Sequence, residues 1–495
     1  MTRKIGAALF VAIALITACA PKDHLIILHT ADTLSQFFKN DASGLGGSAR
    51  LKTYIESIRA ANPNVLVLDS GGILPGSVYA SIFKGKVNIE LMNAMGYTAL
   101  ALGHHEFDYG MDNLFMLDDM ADFPFLSVNV LEKNKARTEF TPYIITNIAG
   151  AKIVIIGLTT PDQNLFNRKV AEQIDLLPPE QILSDILRDK KLAETNDIVI
   201  LLSYLGFERN LVIAESFPEI NIILSGYGDT TTVMPYVTPS TYIVQPGKNG
   251  NYVGKIDLTI SGGKISSFKY NLVAMNKNIP ESQWVLTYLN DKTEIVDQKM
   301  MEKICDSMIT LDATTIRSFP GPIGNMIADI LADASKADIA VINSGSIRAS
   351  IPMGTVHIGD IYQLFPYENY LVKGKLSGLT LKQIIKKGID KRGSGGFLYY
   401  SKGLNVTVGT NKEVNILWNG APLQDGKDYS VATADFLWMG GDGYVEFLKS
   451  QDVTNTGTLI RDAILNYLLN AQMITEQIAD PVPRIVFLSG KTIIK

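Results

Sequence analysis

From Leu25 onward the chain alternates short apolar runs with amphipathic stretches. Leu25–Leu28, Val65–Leu68, Ile153–Ile156, Ile198–Leu202 and Ile222–Leu224 are runs of strand length, rich in β-branched residues. Most end in a loop carrying Asp, His, Gly or Thr. Between them, Arg50–Ala61 and Asn88–Met95 have helical periodicity. Strands alternating with helices predict an α/β fold with a largely buried sheet. They also place functional side chains at the C-terminal ends of the strands. Near 245–276 the pattern changes: Tyr252–Leu258 alternates, Ser261-Gly262-Gly263 turns, and Ile265–Leu272 runs back. This predicts a hairpin that closes a first domain over 24–278. Glu281 to Thr310 is polar and helical in pattern without strand signals, so 279–312 is read as a linker helix. A second α/β domain follows over 313–495, with strand-like runs at 339–342, 370–375 and 429–433 and a turn at Asn419-Gly420.

The start of the chain departs from this pattern. Arg3 and Lys4 precede an apolar run from Ile5 to Ala18, which is too short to span a bilayer comfortably. The run ends in Leu15-Ile16-Thr17-Ala18-Cys19, which resembles a lipobox with Cys19 as the acylated first residue of the mature protein. A plain secretory signal with an incidental cysteine is the competing reading. Either way residues 1–19 are a leader and the protein is expected to be exported. With the lipid it is a membrane-anchored lipoprotein, periplasmic or on the cell surface. The other cysteine is Cys305, so no intramolecular disulfide to Cys19 is expected.

Composition narrows the partners. Of 495 residues, 46% are hydrophobic and 19% charged, an ordinary globular balance. The formal net charge is −5, and loss of Arg3 and Lys4 leaves 43 basic side chains against 50 acidic. This argues against a nucleic-acid binder, which needs a basic face. A mononucleotide needs only a few local cations. A monomer is expected.

Short motifs carry the functional argument. In the first domain they are His29-Thr30-Ala31-Asp32, Gly46 to Arg50, Leu68 to Gly72, Gly103-His104-His105-Glu106-Phe107-Asp108 and Ile156 to Asp162. In the second they are Gly324 to Asp329, Asn343 to Arg348, Phe365 to Asn369 and Gly440-Gly441-Asp442-Gly443-Tyr444. In order and spacing these segments resemble the 5′-nucleotidase family. The resemblance implies a four-layer αββα metallophosphatase-like domain, a helix, and a C-terminal α/β nucleotide-specificity domain. It also implies hydrolysis of phosphate esters by two divalent metals held by carboxylate, His, Asn and Gln ligands beside a His-Asp pair. Two such cations orient the phosphate and lower the water pKa.

Matched to that pattern, the ligand count falls short. The chain has five histidines: His24, His29, His104, His105 and His357. Asp32 is kept, but Leu34 stands where the resemblance implies His, and Gly72 where it implies the bridging Asp. His104 replaces the Asn ligand, Tyr204 and Tyr227 replace His, and Asp229 takes the last ligand position. Gly and Leu carry no donor, and a protonated phenol is a poor ligand. Asp32, His104 and Asp229 remain as candidates for one weakly bound divalent metal (Mn, Zn, Co or Mg), with no cofactor as the other expectation. His105 and Asp108 match the catalytic pair, or simply hydrogen-bond to hold their loop.

The second domain keeps the implied nucleoside pocket. Tyr367 and Phe436 match its stacking rings. Arg317 and Arg348 match its arginines, suited to phosphate as bidentate forks. Asn343 and Asn369 offer amide contacts, and Asp442 can accept from ribose hydroxyls. Three functions stay open: a lipid-anchored nucleoside or nucleotide-binding protein without two-metal catalysis, an active phosphoesterase with a remodelled metal site, and a structural or adhesive lipoprotein.

Overall fold

The structure, a computed structural model, describes residues 23–488 except 75, 134–139 and 190, together with 493–494. The leader and Cys19 lie outside the described residues. Among the described residues no helix is long and apolar enough to cross a membrane.

Two six-stranded sheets face each other in the N-terminal domain. In the first, the parallel strands His24–Thr30, Val65–Asp69, Ala99–Ala101 and Phe125–Leu126 are flanked by the antiparallel hairpin Tyr252–Ser261 and Lys264–Ala274. In the second, Ala151–Leu158, Ile198–Ser203, Ile222–Ser225 and Tyr242–Val244 are parallel, with Tyr143–Ile148 and Tyr236–Val237 antiparallel at the edges. Successive side chains on a strand point to opposite faces, and the cores follow that alternation. Leu25, Ile27, Leu66 and Leu68 meet Ile153, Ile155, Ile200 and Leu202 between the sheets. Ile26, Leu28 and Val67 face outward against helices Ser48–Ala61, Lys86–Met95 and Met111–Met120. Val154, Ile156, Val199 and Leu201 face the other way against Pro179–Ser184 and Phe207–Ser216. The result is helices, sheet, sheet, helices: the αββα order.

The helix Gln283–Met300 is not a free connector. Val285, Leu289 and Val296 join the outer core of the N-terminal domain. The helical reading of 281–310 fails after it. Lys303–Ser307 is a strand, paired with Gly354–His357 and Met473–Ile474 of the C-terminal domain. Its polar ends hid it; only Ile304, Cys305 and Ser307 are buried. The rest of that domain has a sheet of Leu398–Tyr400, Ile339–Asn343, Asp428–Ala434, Tyr370–Ser377 and Gln451–Leu459. Helices Pro322–Ser335, Gly378–Asp390 and Ile460–Ala471 pack on it, and a smaller sheet is built around Leu404–Val408.

A buried ion pair fixes how the domains meet. Arg461 (2% exposed) lies 3.2 Å from Glu368 and stacks 3.9 Å over the Tyr362 ring. The same guanidinium donates to Ser81 Oγ at 2.9 Å, across the domain boundary. Glu368 in turn accepts from Ser81 Oγ at 3.2 Å and from the Gly76 N–H. Removing one partner leaves the other charge buried and unpaired, which costs about 3–5 kcal/mol. Arg461→Ala is expected to lower stability by about that amount in denaturant unfolding.

Candidate functional site

The loops after the parallel strands converge where α/β sheets place their sites. Asp32 leaves its strand with a positive φ of 48°. Its N–H donates to Gly71 O at 2.8 Å, and its own carbonyl accepts from the Asn249 N–H at 2.7 Å. Both carboxylate oxygens are engaged. Oδ1 accepts from the Tyr204 hydroxyl at 2.6 Å, and Oδ2 from the Tyr227 N–H at 2.8 Å. Burial pushes its pKa from 3.8 up to about 6, against the pull of these two hydrogen bonds.

Tyr204 is fully buried and fills the middle of the site. Four glycines from three loops form its bed. A Cβ at Gly71 or Gly226 would lie 2.9 Å from its ring, and one at Gly103 would lie 2.6 Å from it. A Cβ at Gly72 would lie 2.4 Å from Asp32 Oδ1 and 2.7 Å from the Tyr204 oxygen. Gly72 is therefore more than a missing carboxylate. It is the residue that makes room for the Tyr204–Asp32 hydrogen bond. Burial also pushes the Tyr204 phenol well above its ordinary value, so it stays protonated as the donor.

Glu106, which the sequence reading passed over, ties these loops together. Oε1 accepts from the Ile73 N–H at 2.7 Å, and Oε2 from the N–H groups of Gly103 at 2.6 Å and Gly72 at 3.2 Å. A second carboxylate in the loop that carries His104, His105 and Asp108 was the available signal. His104 is buried with its ring 4.0 Å from His105 and edge-on to Tyr227 at 5.5 Å. Burial, then its neighbour His105, hold its pKa well below the ordinary value, so it is neutral. His105 Nδ1 and Asp108 Oδ2 are 2.9 Å apart. Burial pulls the His105 pKa down, but the Asp108 carboxylate and, further off, Glu106 and Asp32 outweigh it, and the pKa lies above the ordinary value. Burial, with a further push from the Asp108 charge, holds the Tyr370 phenol of the C-terminal domain well above its ordinary value.

The three residual metal candidates are not gathered. Asp229 is on the surface with its side chain 83% exposed, ion-paired with Lys248. Among the described residues no group of three or more His, Cys, Asp or Glu side chains is arranged to hold a metal. The side chains around Asp32 do not fit a two-metal centre, because a phenol ring occupies the space between the loops.

In the C-terminal domain the predicted residues fall into linked pairs. Buried Asn343 donates from Nδ2 to Asp442 Oδ2 at 2.8 Å and accepts from Ser346 Oγ at 2.5 Å. Asn369 donates to Asp435 Oδ1 at 2.9 Å, and the Tyr370 N–H donates to Asp435 Oδ2 at 3.1 Å. Asp435, absent from the sequence reading, thus ties the Tyr367 segment to the turn that carries Phe436. Tyr367 is 43% and Phe436 42% exposed. Phe436 is held over Gly441, where a Cβ would lie 2.6 Å from its ring. Arg317 and Arg348 are exposed, and among the described residues neither side chain makes an ion pair.

This architecture defines a two-domain protein with a metallophosphatase-like N-terminal domain and a C-terminal α/β domain. Residues 303–450 match the family model described as "5'-nucleotidase, C-terminal domain". The chain is 28% identical to a 5'-nucleotidase of Vibrio cholerae over 90% of each chain, and 24% identical to Protein UshA of Escherichia coli over 92% of this chain and 93% of that one. The fold is also that of a Haemophilus influenzae NAD nucleotidase, with a TM-score of 0.71 at 20% identity over 94% of this chain and 99% of the other. The chain is thus similar to 5′-nucleotidases along most of its length, and residues 303–450 match that family's C-terminal domain.

The Asp32 carboxyl is expected to titrate near 6 in carboxyl NMR. Its folded pKa lies above its unfolded value, so ionisation opposes folding. That cost is absent below 3.8, grows through the window and is complete above about 6. Tyr204→Phe removes a bond that favours the carboxylate, so the midpoint is expected to move upward. Leaving the buried oxygen without a donor should also cost about 1–3 kcal/mol of stability.

Proposed function

We propose that this protein is an exported, lipid-anchored member of the 5′-nucleotidase family that binds a nucleoside or nucleotide and has lost two-metal hydrolysis. The observation that carries this reading is the Tyr204 ring seated among Gly71, Gly72, Gly103 and Gly226 with its hydroxyl on Asp32. A bridging carboxylate at 72 and this ring exclude each other. The exposed rings of Tyr367 and Phe436, with the Asn343–Asp442 and Asn369–Asp435 pairs beside them, support base stacking and ribose recognition. Arg317 and Arg348, exposed and without ion pairs among the described residues, support phosphate binding. A scaffold role falls to the N-terminal domain read over 24–278 and the binding role to the C-terminal domain, which begins with the strand Lys303–Ser307 and not at 313 as read from sequence. Cys19 assigns the anchor, and the protein acts at a periplasmic or outer surface.

A second reading is an active phosphoesterase with a remodelled metal site, and the intact His105–Asp108 geometry favours it. Metal content together with AMP turnover in Mn²⁺, Zn²⁺ or Co²⁺ decides between the two. The proposal expects no tightly held transition metal and no chelator-sensitive turnover. Two bound metals with turnover abolished by chelator would sink it. In calorimetry Phe436→Ala is expected to weaken nucleoside binding by about 1–3 kcal/mol, and His105→Ala to leave it unchanged. Arg348→Ala should weaken nucleotides more than nucleosides.

A further inference from the structure

The sheet formed by Gly354–His357, Lys303–Ser307 and Met473–Ile474 buries one face and leaves the other in water. Cys305 and Ser307 point inward, beside Val356 and Ile474. Strand alternation then sends Asp306 outward, and Met308, next after the strand, with it. The register sets two more methionines beside Met308. Ser307 pairs with Gly354, so Met353 lies across from Met308, and the Met353 N–H donates to Thr310 Oγ1 at 3.4 Å. On the other side Asp306 pairs with Met473, and the Met308 N–H donates to Ile474 O at 2.9 Å. Met308 is 62%, Met353 67% and Met473 42% exposed. Methionine is ordinarily a buried residue type, and core packing does not account for three of them together on a solvent face.

Directly opposite residues on paired strands have Cβ atoms about 5 Å apart, and diagonal neighbours about 7–8 Å. Methionine is unbranched, with three rotatable side-chain bonds. The thioethers of Met353 and Met473 can therefore reach a common point above Met308, one from each side. The carboxylate between them is already committed: Asp306 accepts from Lys303 Nζ at 2.7 Å and from Thr355 Oγ1 at 3.3 Å. What the face offers is three uncharged sulfur donors beside a neutralised ion pair. Mg, Ca and Mn prefer oxygen ligands and imidazole suits Zn, whereas thioethers select soft ions such as Cu(I).

We propose that Met308, Met353 and Met473 form a surface site for a soft monovalent cation, Cu(I) or Ag(I), held by three thioethers. The site uses neither the nucleoside-binding residues nor the strand ends around Asp32, and it stands whatever they bind. Ag⁺, which needs no reductant, serves as the probe, titrated into the full chain carrying ¹³C-methyl methionine. The Met308, Met353 and Met473 methyl signals are expected to shift together as one site, with Met234, exposed in the N-terminal domain, unmoved over that range. The buried thiol of Cys305 on the inner face also attracts Ag⁺, so the methyl signals and not total uptake are read. Cu⁺ under anaerobic conditions should give the same shifts, and Zn²⁺ or Mn²⁺ none. Met308→Leu and Met473→Leu, both at exposed positions, should each weaken the Ag⁺ response of the two remaining methionines about 10–100-fold without moving the unfolding midpoint. The proposal is overturned if the three signals titrate independently, if they move only where Met234 also moves, or if neither leucine variant alters the response of the others.

Discussion

One hydrogen bond organises the N-terminal domain's strand ends: the Tyr204 hydroxyl donating to Asp32 at 2.6 Å. It runs between the two facing sheets, since Asp32 follows the strand His24–Thr30 and Tyr204 follows Ile198–Ser203. A buried carboxylate is expensive, and the phenol and the Tyr227 N–H offset part of that cost. The ring attached to the hydroxyl then needs space. The glycines of the loops after Val65–Asp69, Ala99–Ala101 and Ile222–Ser225 provide it. Glu106 holds two of those loops together through three backbone N–H groups, so the bed is rigid.

That arrangement changes what the domain can do. In a two-metal phosphatase the strand ends converge on cations, and side chains without donors at those positions would leave a hole. Here the convergence remains and a phenol takes the centre. His105 and Asp108 remain hydrogen-bonded, 2.9 Å apart. With the Arg461–Glu368 pair gripping Ser81, the domain boundary is defined by polar contacts.

Much of the fold was legible along the chain. The five β-branched runs of the N-terminal half all lie in strands, because strands buried on both faces need no polar alternation and stand out as continuous apolar runs. The hairpin through Gly262 and Gly263 was equally plain, as both take the positive φ its turn requires. Lys303–Ser307 was not legible: five residues with charged and polar ends carry little periodicity, and only its pairing partners make it a strand. Asp229 shows the same limit at the site. Its match to the last ligand position of the family pattern suggested a metal ligand, but its side chain is exposed and Lys248 pairs with it at the surface.

The sequence by itself determined the alternation of strands and helices, the order of the motifs, and which positions at the strand ends carry no metal-binding group. Those properties are written residue by residue. What stands in place of the missing groups was decided only by the tertiary structure. A glycine at 72 and a tyrosine at 204 are separate losses when read along the chain. They become one device only when the two sheets stack and the ring meets the backbone of loops from three different strands. Side-chain identity is local, but the space a side chain fills depends on which distant segments close around it.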